Sequence, residues 1–444
     1  MSLLEHPKFI VVGAGPAGAM VAAYLGQAGY QVEVYEMRDD LRNSDAPGGR
    51  SINLALSLRG IAALERIGIA DRVLATAVPM PGRMIHGVDG TLTFQPYGKD
   101  ATQAIHSVSR GDLNRLLLET ADQHESVRLL FHKKCIDVDI DHRCVELVDT
   151  QSGERSTVTG DIIVSADGAF SVVRRSLQKR DRFDYRQDYL LHGYKELAIP
   201  PGPNGEFRLE KNALHIWPRR EFMMIALPNE DASYTCTLFW PFEGPNSFAA
   251  IDTEEKLLNH FYRCFPDAVA HLPTLVEDYF ANPVGSLATI RCAPWYIEDK
   301  VVLLGDACHA VVPFYGQGMN AAFEDVLVLG ECVKAHAPHW RRVFEVYYQT
   351  RKVHVDTLAD MAISNFLEMR DHTGSRKFLR KKQLEKTLHR LFPKWYFPLY
   401  TLATFTRMPY LEAVRRTKKQ DRIVRGIGWG LALIVLTILA AIVW

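Results

Sequence analysis

The sequence predicts a mixed α/β protein: a Rossmann-like dinucleotide-binding domain with an antiparallel β-sheet domain inserted into it. Three observations support this fold class. The chain opens with an apolar strand, a glycine-rich turn and an alanine-rich helix, and a second apolar strand follows. Short alternating runs, separated by turn residues, fill about 185–285. From Asn320 to about Leu402 the pattern is helical, with charged faces and no strand-like alternation.

These patterns divide the chain into four parts. The expected parts are a discontinuous dinucleotide-binding domain over 1–180 and 286–330, an inserted sheet domain over 181–285 that also uses about 75–105, a C-terminal helical region over 331–425, and a terminal hydrophobic helix over 426–444.

The composition limits the kinds of partner. The formal net charge is zero, with 52 basic and 52 acidic residues, so no global positive field favours binding of nucleic acid. The seven cysteines are scattered, with no CxxC pair and no metal-ligand spacing. This distribution indicates reduced structural thiols in a cytosol-facing protein and predicts no metal site. The sequence does not specify an oligomeric state.

The final segment differs from the rest of the chain. Residues 426–444, GIGWGLALIVLTILAAIVW, carry no charge, and the basic run RRTKKQDRIVR precedes them over 415–425. As a helix the segment spans roughly 28 Å, close to the thickness of a hydrocarbon core, and basic residues flank the cytoplasmic ends of membrane helices. We therefore expect a lipid-embedded tail anchor with a cytosolic catalytic domain, in a bacterial inner or mitochondrial outer membrane. The alternative is a hydrophobic helix docked on the protein itself.

The first strand and helix carry the clearest ligand-binding pattern. Residues 13–18, GAGPAG, follow the strand Lys8–Val12, and QVEVYE ends a second strand at Glu36. Glycines in this pattern allow a tight turn and a close approach of a pyrophosphate to the helix N-terminus, and the acid at the strand end accepts ribose hydroxyls. The pattern predicts dinucleotide binding but does not separate FAD from NAD.

Two further turns follow strands later in the chain. Asp167 and Gly168 stand in SADGAFSVVRR, and Asp306 stands in LLGDACHA before the loop PFYGQGMN. Either acid alone would be an ordinary turn residue. With the glycine-rich turn, in this order and spacing, they resemble the single-component flavoprotein aromatic hydroxylases. The stretches GRSINLALSLRG, SVSRGDLNRLLL and HAVVPFYGQGMNAAFED narrow the resemblance, over nearly the whole chain, to the kynurenine 3-monooxygenase family.

The resemblance implies an enzyme with tightly bound, non-covalent FAD that takes NADPH and O₂ as co-substrates. Its implied reaction is hydroxylation of L-kynurenine to 3-hydroxy-L-kynurenine through a flavin C4a-hydroperoxide. Two alternatives remain open: a related hydroxylase or epoxidase acting on another aromatic or lipid substrate, and a membrane-tethered flavoprotein without turnover. No second GxGxxG with its own domain is found in the sequence, which fits transient binding of NADPH at the surface.

The resemblance also assigns residues. Asp306 would hold the ribityl chain, the backbone from Gly316 to Gly318 would approach the flavin ring, and a helix starting near Met319 and Asn320 would direct its positive end at the ring. The implied cofactor-binding residues are Gly13, Gly15, Ala17, Gly18, Glu36, Arg38, Ala55, Arg110, Cys135, Asp167, Asp306, Gly318, Met319 and Asn320.

The substrate of this family carries a carboxylate and an aromatic ring. Arginine binds a carboxylate bidentately, which lysine does less well. The implied substrate ligands are Arg83, Tyr97, Asn365 and Tyr400, with Glu368, Met369, Phe314 and Gln317 as further pocket residues. Tyr315 stands where the family often has Phe. No side chain is expected to act as a catalytic acid or base, and His309 is expected to hold the backbone beside the flavin loop.

Overall fold

The structure is a computed structural model that describes residues 4–43, 53–98, 103–368 and 376–443. For residues 376–382, 386, 428, 429 and 431–443 it describes the backbone alone.

The strands and helices alternate in the first third of the chain, and helices dominate the last third. The strands are β1 (Lys8–Val12), β2 (Gln31–Tyr35), β3 (Leu54–Leu56), β4 (Val78–Met80), β5 (Gly82–His86), β6 (Leu92–Pro96), β7 (Ile105–Val108), β8 (Val127–Leu130), β9 (Lys133–Asp139), β10 (Cys144–Asp149), β11 (Arg155–Thr159), β12 (Ile162–Ser165), β13 (Asp184–Ile199), β14 (Leu214–Arg219), β15 (Phe222–Pro228), β16 (Tyr234–Pro241), β17 (Gly285–Ala293), β18 (Tyr296–Ile297) and β19 (Val301–Leu303). The helices are α1 (Pro16–Gln27), α2 (Leu58–Arg66), α3 (Ala70–Thr76), α4 (Arg110–Asp122), α5 (Val172–Gln178), α6 (Glu254–Cys264), α7 (Pro266–Val269), α8 (Leu275–Ala281), α9 (Asp306–His309), α10 (Gly318–His336), α11 (Trp340–Leu367), α12 (Arg376–Leu391), α13 (Leu399–Phe405) and α14 (Tyr410–Val443), with 3₁₀ turns at Phe248–Ala250 and Pro313–Tyr315.

The first sheet has six strands in the order β18-β19-β12-β1-β2-β8. Its central strands run parallel, with β1 between β12 and β2, and β1 and β12 are almost entirely buried. Strands buried on both faces are rich in Val and Ile, as KFIVV and IIVS are. Helices α1, α4 and α10 pack together against this core. The carboxyl ends of β1, β12 and β19 therefore meet at one edge, where Gly13, Asp167 and Asp306 follow.

The second large sheet has seven strands in the order β17-β13-β16-β15-β14-β5-β6. Its neighbours pair antiparallel except β14 and β5, which are parallel. Strands β5 and β6 come from the N-terminal part of the chain and complete one edge. One face of the sheet packs against α6, α7 and α8 around Trp217, Trp240 and Phe261.

The structure changes several boundaries that the sequence pattern suggested. The segment 157–166 is two strands in different sheets: β11 pairs with β10, and β12 pairs with β1. Three helices lie within the inserted segment, where only strands were expected. The division drawn at 330 falls inside α10, and the division at 425 falls inside α14.

The predicted tail anchor lies mostly outside the residues whose side chains are described. Over the described part of the chain, no helix has both the length and the apolar character needed to cross a membrane.

Candidate active site

The glycine-rich turn after β1 places open backbone donors at the start of α1. Gly13 has a φ of 93° and sits so close to the next turn that a Cβ there would lie 2.7 Å from the Ala166 carbonyl oxygen. At Gly18 a Cβ would lie 1.9 Å from the carbonyl oxygen of Gly13. Gly15 precedes α1, no side chain caps the helix there, and a Cβ on Gly15 would meet nothing within 4 Å. The first amides of α1 thus face open space, as an anion site requires.

Glu36, at the end of β2, is buried and fixes this turn. It accepts hydrogen bonds from the Ala14 amide at 2.8 Å and from Arg38 Nε at 2.8 Å. Burial acts to raise the pKa of Glu36, but the hydrogen bonds from Arg38 and Ala14 outweigh it, so the net pKa is lowered. The carboxylate is therefore ionised at neutral pH. The Arg38 amide and Nη2 also donate to it, so a ribose hydroxyl would bind here in place of part of the Arg38 side chain.

Asn114, on α4, also supports the turn and carried no signal in the sequence pattern. Its Nδ2 donates to the Ala14 carbonyl at 3.1 Å. Its Oδ1 is buried and has no hydrogen-bond partner within the described chain. A buried amide oxygen without a partner costs free energy, so this atom is suited to a donor from a bound group.

Asp306 forms part of the wall of a deep cleft. Its side chain is exposed although the neighbouring residues 301–305 and 307–310 are buried. Although solvent reaches this side chain, the protein packed around it disfavours the charged form and raises the pKa of Asp306, while the positive charges of His309 and Arg110 act to lower it. Gly305 has a φ of 57°, and a Cβ there would lie 3.4 Å from Ala17 Cβ. The turn therefore brings Asp306 next to the start of α1 on one side and Arg110 on the other.

The Asp167 carboxylate is engaged within its own turn. It accepts hydrogen bonds from the Ser165 hydroxyl at 2.6 Å and from the Val172 amide, at the start of α5, at 2.7 Å. Cys135 lies nearby on β9 and is buried. Burial, with the Asp167 charge, raises the pKa of the Cys135 thiol to about 12. Asp167 thus shapes the loop, and Cys135 is an unreactive thiol at neutral pH.

Asn320 joins three segments of the cleft wall. Its Oδ1 accepts the Ser57 amide at 2.8 Å, and its Nδ2 donates to the carbonyls of Ala55 at 2.8 Å and Gly316 at 2.9 Å. Gln317 points inward beside it, where Oε1 accepts the Tyr410 hydroxyl at 3.1 Å. Both side chains are fully buried. They hold the loop from inside, and α10 begins at Gly318, one residue before the predicted start.

A chain of buried charges runs behind this loop, and sequence reasoning did not find it. His309 Nε2 lies 2.5 Å from Asp325 Oδ2, and Arg351 Nε donates to Asp325 Oδ1 at 2.7 Å. Glu324 pairs with two arginines: its Oε2 lies 2.5 Å from Arg351 Nη1, and its Oε1 lies 2.6 Å from Arg59 Nη1. Because burial is outweighed by the charges of His309 and Arg351, the pKa of Asp325 is lowered. The described partner of the His309 ring is thus a buried carboxylate, and its expected role in holding the backbone beside the loop stays a prediction.

Arg59 extends this chain of charges to the C-terminal helices. Its Nε donates to the Ala403 carbonyl at 3.2 Å, and another nitrogen donates to the Met408 carbonyl. Its guanidinium lies 4.1 Å from the Tyr410 ring centroid. The helix α13 is thus tied to the same charges that hold the loop around Asp306.

Arg83 lies on β5 between two aromatic rings on the other side of the cleft. Its guanidinium carbon is 5.2 Å from the Tyr97 ring centroid and 4.6 Å from that of Tyr400, and Nε donates to the Tyr97 hydroxyl at 3.3 Å. Burial acts to lower the pKa of Arg83, but the two tyrosines outweigh it, so the net pKa is raised. Among the described residues no carboxylate lies within ion-pair distance of Arg83, so this deep cation has an open position for an anion.

Aromatic rings extend from Arg83 to residues 313–317, the loop before α10. The ring of Tyr400 stacks on that of Tyr97, with 5.2 Å between the ring centroids, and its centroid lies 5.5 Å from that of Tyr315. The ring centroids of Phe314 and Phe366 are 4.4 Å apart. Asn365 Nδ2 donates to the Phe314 carbonyl at 2.6 Å, which ties α11 to the loop.

The remaining predicted pocket residues lie at the end of α11. Glu368 follows this helix, and its charge is one cause of the raised pKa of Tyr315, after burial and Tyr400. Met369 lies outside the described residues.

Comparisons with known proteins identify the family of this chain. A family model for an FAD-binding domain matches residues 7–360. Kynurenine 3-monooxygenase of Myxococcus xanthus is 46% identical over 431 residues, which cover 97% of this chain and 93% of that protein. The chain belongs to the kynurenine 3-monooxygenase family. The enzyme of the same name from Dictyostelium discoideum is also 46% identical, over 93% of this chain and 91% of its own.

Solved structures of other enzymes share the fold of this member of the kynurenine 3-monooxygenase family. The tetrameric form of 2-methyl-3-hydroxypyridine-5-carboxylic acid oxygenase superposes with a TM-score of 0.67, over 84% of this chain and 95% of that chain, at 20% identity. The protein therefore has the mixed α/β fold of an FAD-binding monooxygenase.

The residues present fit bound FAD. Open amides at Gly15 suit the pyrophosphate, and ionised Glu36 suits a ribose. The exposed carboxylate of Asp306 suits a polyhydroxyl chain. Ala55 borders the loop, since a Cβ on Gly316 would lie 3.3 Å from Ala55 Cβ. The implied residues Gly13, Ala17 and Gly18 lie at the turn and first residues of α1. Gly318 and Met319 begin α10, and Arg110 begins α4 close enough to act on the pKa of Asp306. The Arg38 side chain is 53% exposed and is paired with Glu36.

Proposed function

We propose that this protein hydroxylates L-kynurenine to 3-hydroxy-L-kynurenine with FAD, NADPH and O₂. The observation that carries the proposal is Arg83, a deep arginine between Tyr97 and Tyr400 with no carboxylate partner in the described chain. An arginine held in this way suits a ligand carboxylate, because a charged hydrogen bond in a site away from water is strong. The relatives that match over nearly the full chain carry the name kynurenine 3-monooxygenase, which supports the same substrate.

The aromatic wall accounts for the rest of the substrate. Phe314, Phe366 and Tyr400 border the space between Arg83 and the loop before α10. Flat apolar rings favour stacking with an anthranoyl ring and exclude water from it. Arg83 fixes one end of the ligand, so the wall determines which ring carbon faces the loop.

The protein's own contribution is to bind, orient and shield. Bound FAD supplies the redox chemistry, taking reducing equivalents from NADPH and activating O₂. Glu36, Asp306 and the amides of α1 would hold the cofactor. Among the side chains of the described cleft, none is assigned a proton transfer, because the electron-rich ring of the substrate needs no protein base.

The test is NADPH oxidation by purified, FAD-loaded protein, with the product identified by mass. L-Kynurenine should accelerate oxidation and give a product one oxygen heavier, whereas kynurenine carboxamide, which lacks the anion, should accelerate it far less. Acceleration with only H₂O₂ as product would assign the site to another aromatic substrate. No acceleration by any carboxylate-bearing aromatic ligand would contradict the proposal.

We also propose, from the sequence alone, that residues 426–444 anchor the protein to a membrane. The support is the uncharged segment and the basic run before it. Full-length protein and a chain ending at Arg425 should separate on fractionation, with only the longer chain in the membrane pellet. Recovery of the full chain without detergent would contradict the anchor.

A further inference from the structure

Two buried histidines form an unbroken line of hydrogen bonds behind the strand that carries Arg83. His86, at the end of β5, has Nδ1 at 2.6 Å from Asp267 Oδ2. Its Nε2 lies 2.8 Å from His215 Nδ1, on β14. His215 Nε2 lies 2.8 Å from the Glu210 carbonyl oxygen. The two imidazoles are 2% and 1% exposed, so the bond between the rings lies away from water.

The number of protons in this line follows from its two ends. The Glu210 carbonyl only accepts, so His215 Nε2 must donate to it. Three hydrogen bonds then need three protons, and two neutral imidazoles carry two. The third proton sits either on the imidazole pair or on Asp267.

Two observations place the third proton on the imidazoles. Trp217 Nε1 donates to both Asp267 oxygens, at 3.2 and 3.1 Å, which favours the ionised carboxylate. Although burial acts to raise it, the pKa of Asp267 is lowered by its bonds to His86 and Trp217. Of the two rings, His86 is the one in contact with the carboxylate, at 2.6 Å, so the positive charge belongs on His86. In agreement, burial lowers the pKa of His215 to about 4.

The location of the pair gives it a role. β5 lies between β14 and β6, and β6 is an edge strand whose residues are mostly exposed. The pairing of β5 with β14 extends over only Arg83 to Ile85. The fixed position of β5 must therefore come from the β14 side, where His86 also stacks on Trp217 at 4.0 Å and its carbonyl accepts Arg219 Nη1 at 2.9 Å.

We propose that His86 and His215 are positioning residues for Arg83. They share three ring protons, and the resulting charged line to Asp267 fixes the strand that presents the guanidinium to the substrate carboxylate. Loss of the third proton would leave two ring lone pairs facing each other across the gap between His86 and His215, and β5 would lose its fixed register beside β14. The kinetic consequence rests on the proposed function, whereas the proton count does not.

The proton count is tested by NMR of full-length, FAD-loaded protein with ¹⁵N-labelled histidine. We expect three ring N–H signals from this pair at neutral pH, with both nitrogens of His86 protonated. The signals are assigned by their loss in His86→Phe and His215→Phe. One unprotonated nitrogen on each ring would overturn the proposal. This arm needs no substrate, so it decides the proton count even if the wild-type protein does not turn over L-kynurenine.

The positioning role is tested by His86→Phe, which retains a ring beside Trp217 but removes both donors. We expect the KM for L-kynurenine to rise about tenfold while kcat stays within about twofold, because the loss acts on ground-state binding through Arg83. His260→Phe is the matched control, a buried histidine of the same domain that lies outside this line, and its KM should stay at the wild-type value. Equal KM values in the wild-type protein and His86→Phe, or equal increases in both variants, would overturn the role.

Asp267→Asn keeps the proton count testable if His86→Phe fails to fold. Without the anion the pair should lose its third proton, because the asparagine amide can donate to His86 Nδ1 in its place, so NMR should show two ring N–H signals. Three remaining signals would overturn the proposal.

Discussion

Arg83 shows how one residue defines a ligand. Its guanidinium has aromatic faces on two sides, and its Nε donates a hydrogen bond to the Tyr97 hydroxyl. Cation–π contacts of this kind stabilise the charge but leave most guanidinium donors free. A carboxylate-bearing ligand would therefore complete an arrangement that the protein leaves incomplete.

Replacing Arg83 should affect binding more than turnover. Arg83→Ala is expected to raise the KM for L-kynurenine roughly 100-fold, equivalent to about 3 kcal/mol, because a desolvated carboxylate loses its charged partner. The KM of Arg83→Lys should lie between those of the wild-type protein and Arg83→Ala, because lysine keeps the charge and loses the bidentate geometry. Steady-state kinetics measure both, with the exposed Arg72, replaced by Ala, as the control. A KM for Arg83→Ala close to the wild-type value would remove Arg83 from the substrate site.

His260 should make stability depend on pH. It is enclosed by Trp240 at 4.6 Å and Phe222 at 5.3 Å, and burial, with Arg263, lowers the pKa of His260 from 6.5 to about 4. Between these values the unfolded chain binds a proton that the folded protein does not, so this contribution to stability is complete above pH 6.5 and is lost as pH falls towards 4. His260→Phe should therefore show a smaller drop in Tm from pH 7 to pH 5 than the wild-type protein.

The control for this experiment is His339→Phe, at an exposed histidine. Its Tm should fall with pH as steeply as that of the wild-type protein. Equal slopes in all three proteins would show that His260 does not contribute.

At the scale of elements, the cleft depends on joints between segments that are distant in the chain. Asn320 joins β3, the loop before α10 and the start of α2 with one side chain. A single amide can do this because it carries both a donor group and an acceptor. The joint fixes the loop before α10 through hydrogen bonds to three segments of the protein itself.

Asn320→Ala should loosen this joint and weaken FAD binding. We expect a loss of roughly 3 kcal/mol in stability, from three broken hydrogen bonds, and a lower affinity for FAD. Asn282→Ala is a matched control, because Asn282 is buried in the other domain and donates to the Glu196 carbonyl. Both variants should lower Tm, but fluorescence titration should show weaker FAD binding for Asn320→Ala alone. Unchanged FAD affinity in Asn320→Ala would show that these hydrogen bonds do not hold the loop in the conformation that binds FAD.

The sequence predicted local elements better than joints. The turn at Gly13 and the acid Asp306 were found because glycine and aspartate after a strand have local physical reasons. The joint between Arg59 and Glu324 spans 265 residues, and neither residue type carries a signal for the other. The two strands within 157–166 were merged because both are rich in β-branched residues, and the turn between them, at Gly160 and Asp161, interrupts the pattern only briefly.

At the scale of the whole molecule, Arg59 connects the FAD-binding part to the C-terminal helices. Arg59→Met should cost roughly 3–5 kcal/mol, because Glu324 then keeps a buried charge with one partner fewer. The double variant Arg59→Met/Glu324→Gln should recover part of this loss, since it also removes the unpaired charge. Chemical unfolding measures the stabilities, and proteolysis near Met408 should be faster in the single variant. Equal stabilities of the single variant and the wild-type protein would show that Arg59 does not stabilise the packing of the C-terminal helices on the FAD-binding part.

The order of strands in the first sheet has a consequence for synthesis of the chain. β1 needs β12 beside it, and β12 needs β19, which ends at Leu303. At a translation rate of roughly 5–20 residues per second, the first strand therefore leaves the ribosome many seconds before its sheet can be completed. During that interval the apolar run KFIVV has no finished sheet to enter. Chaperones that bind extended apolar segments should thus recognise the nascent N-terminus, and FAD should bind only after the last third of the chain has emerged.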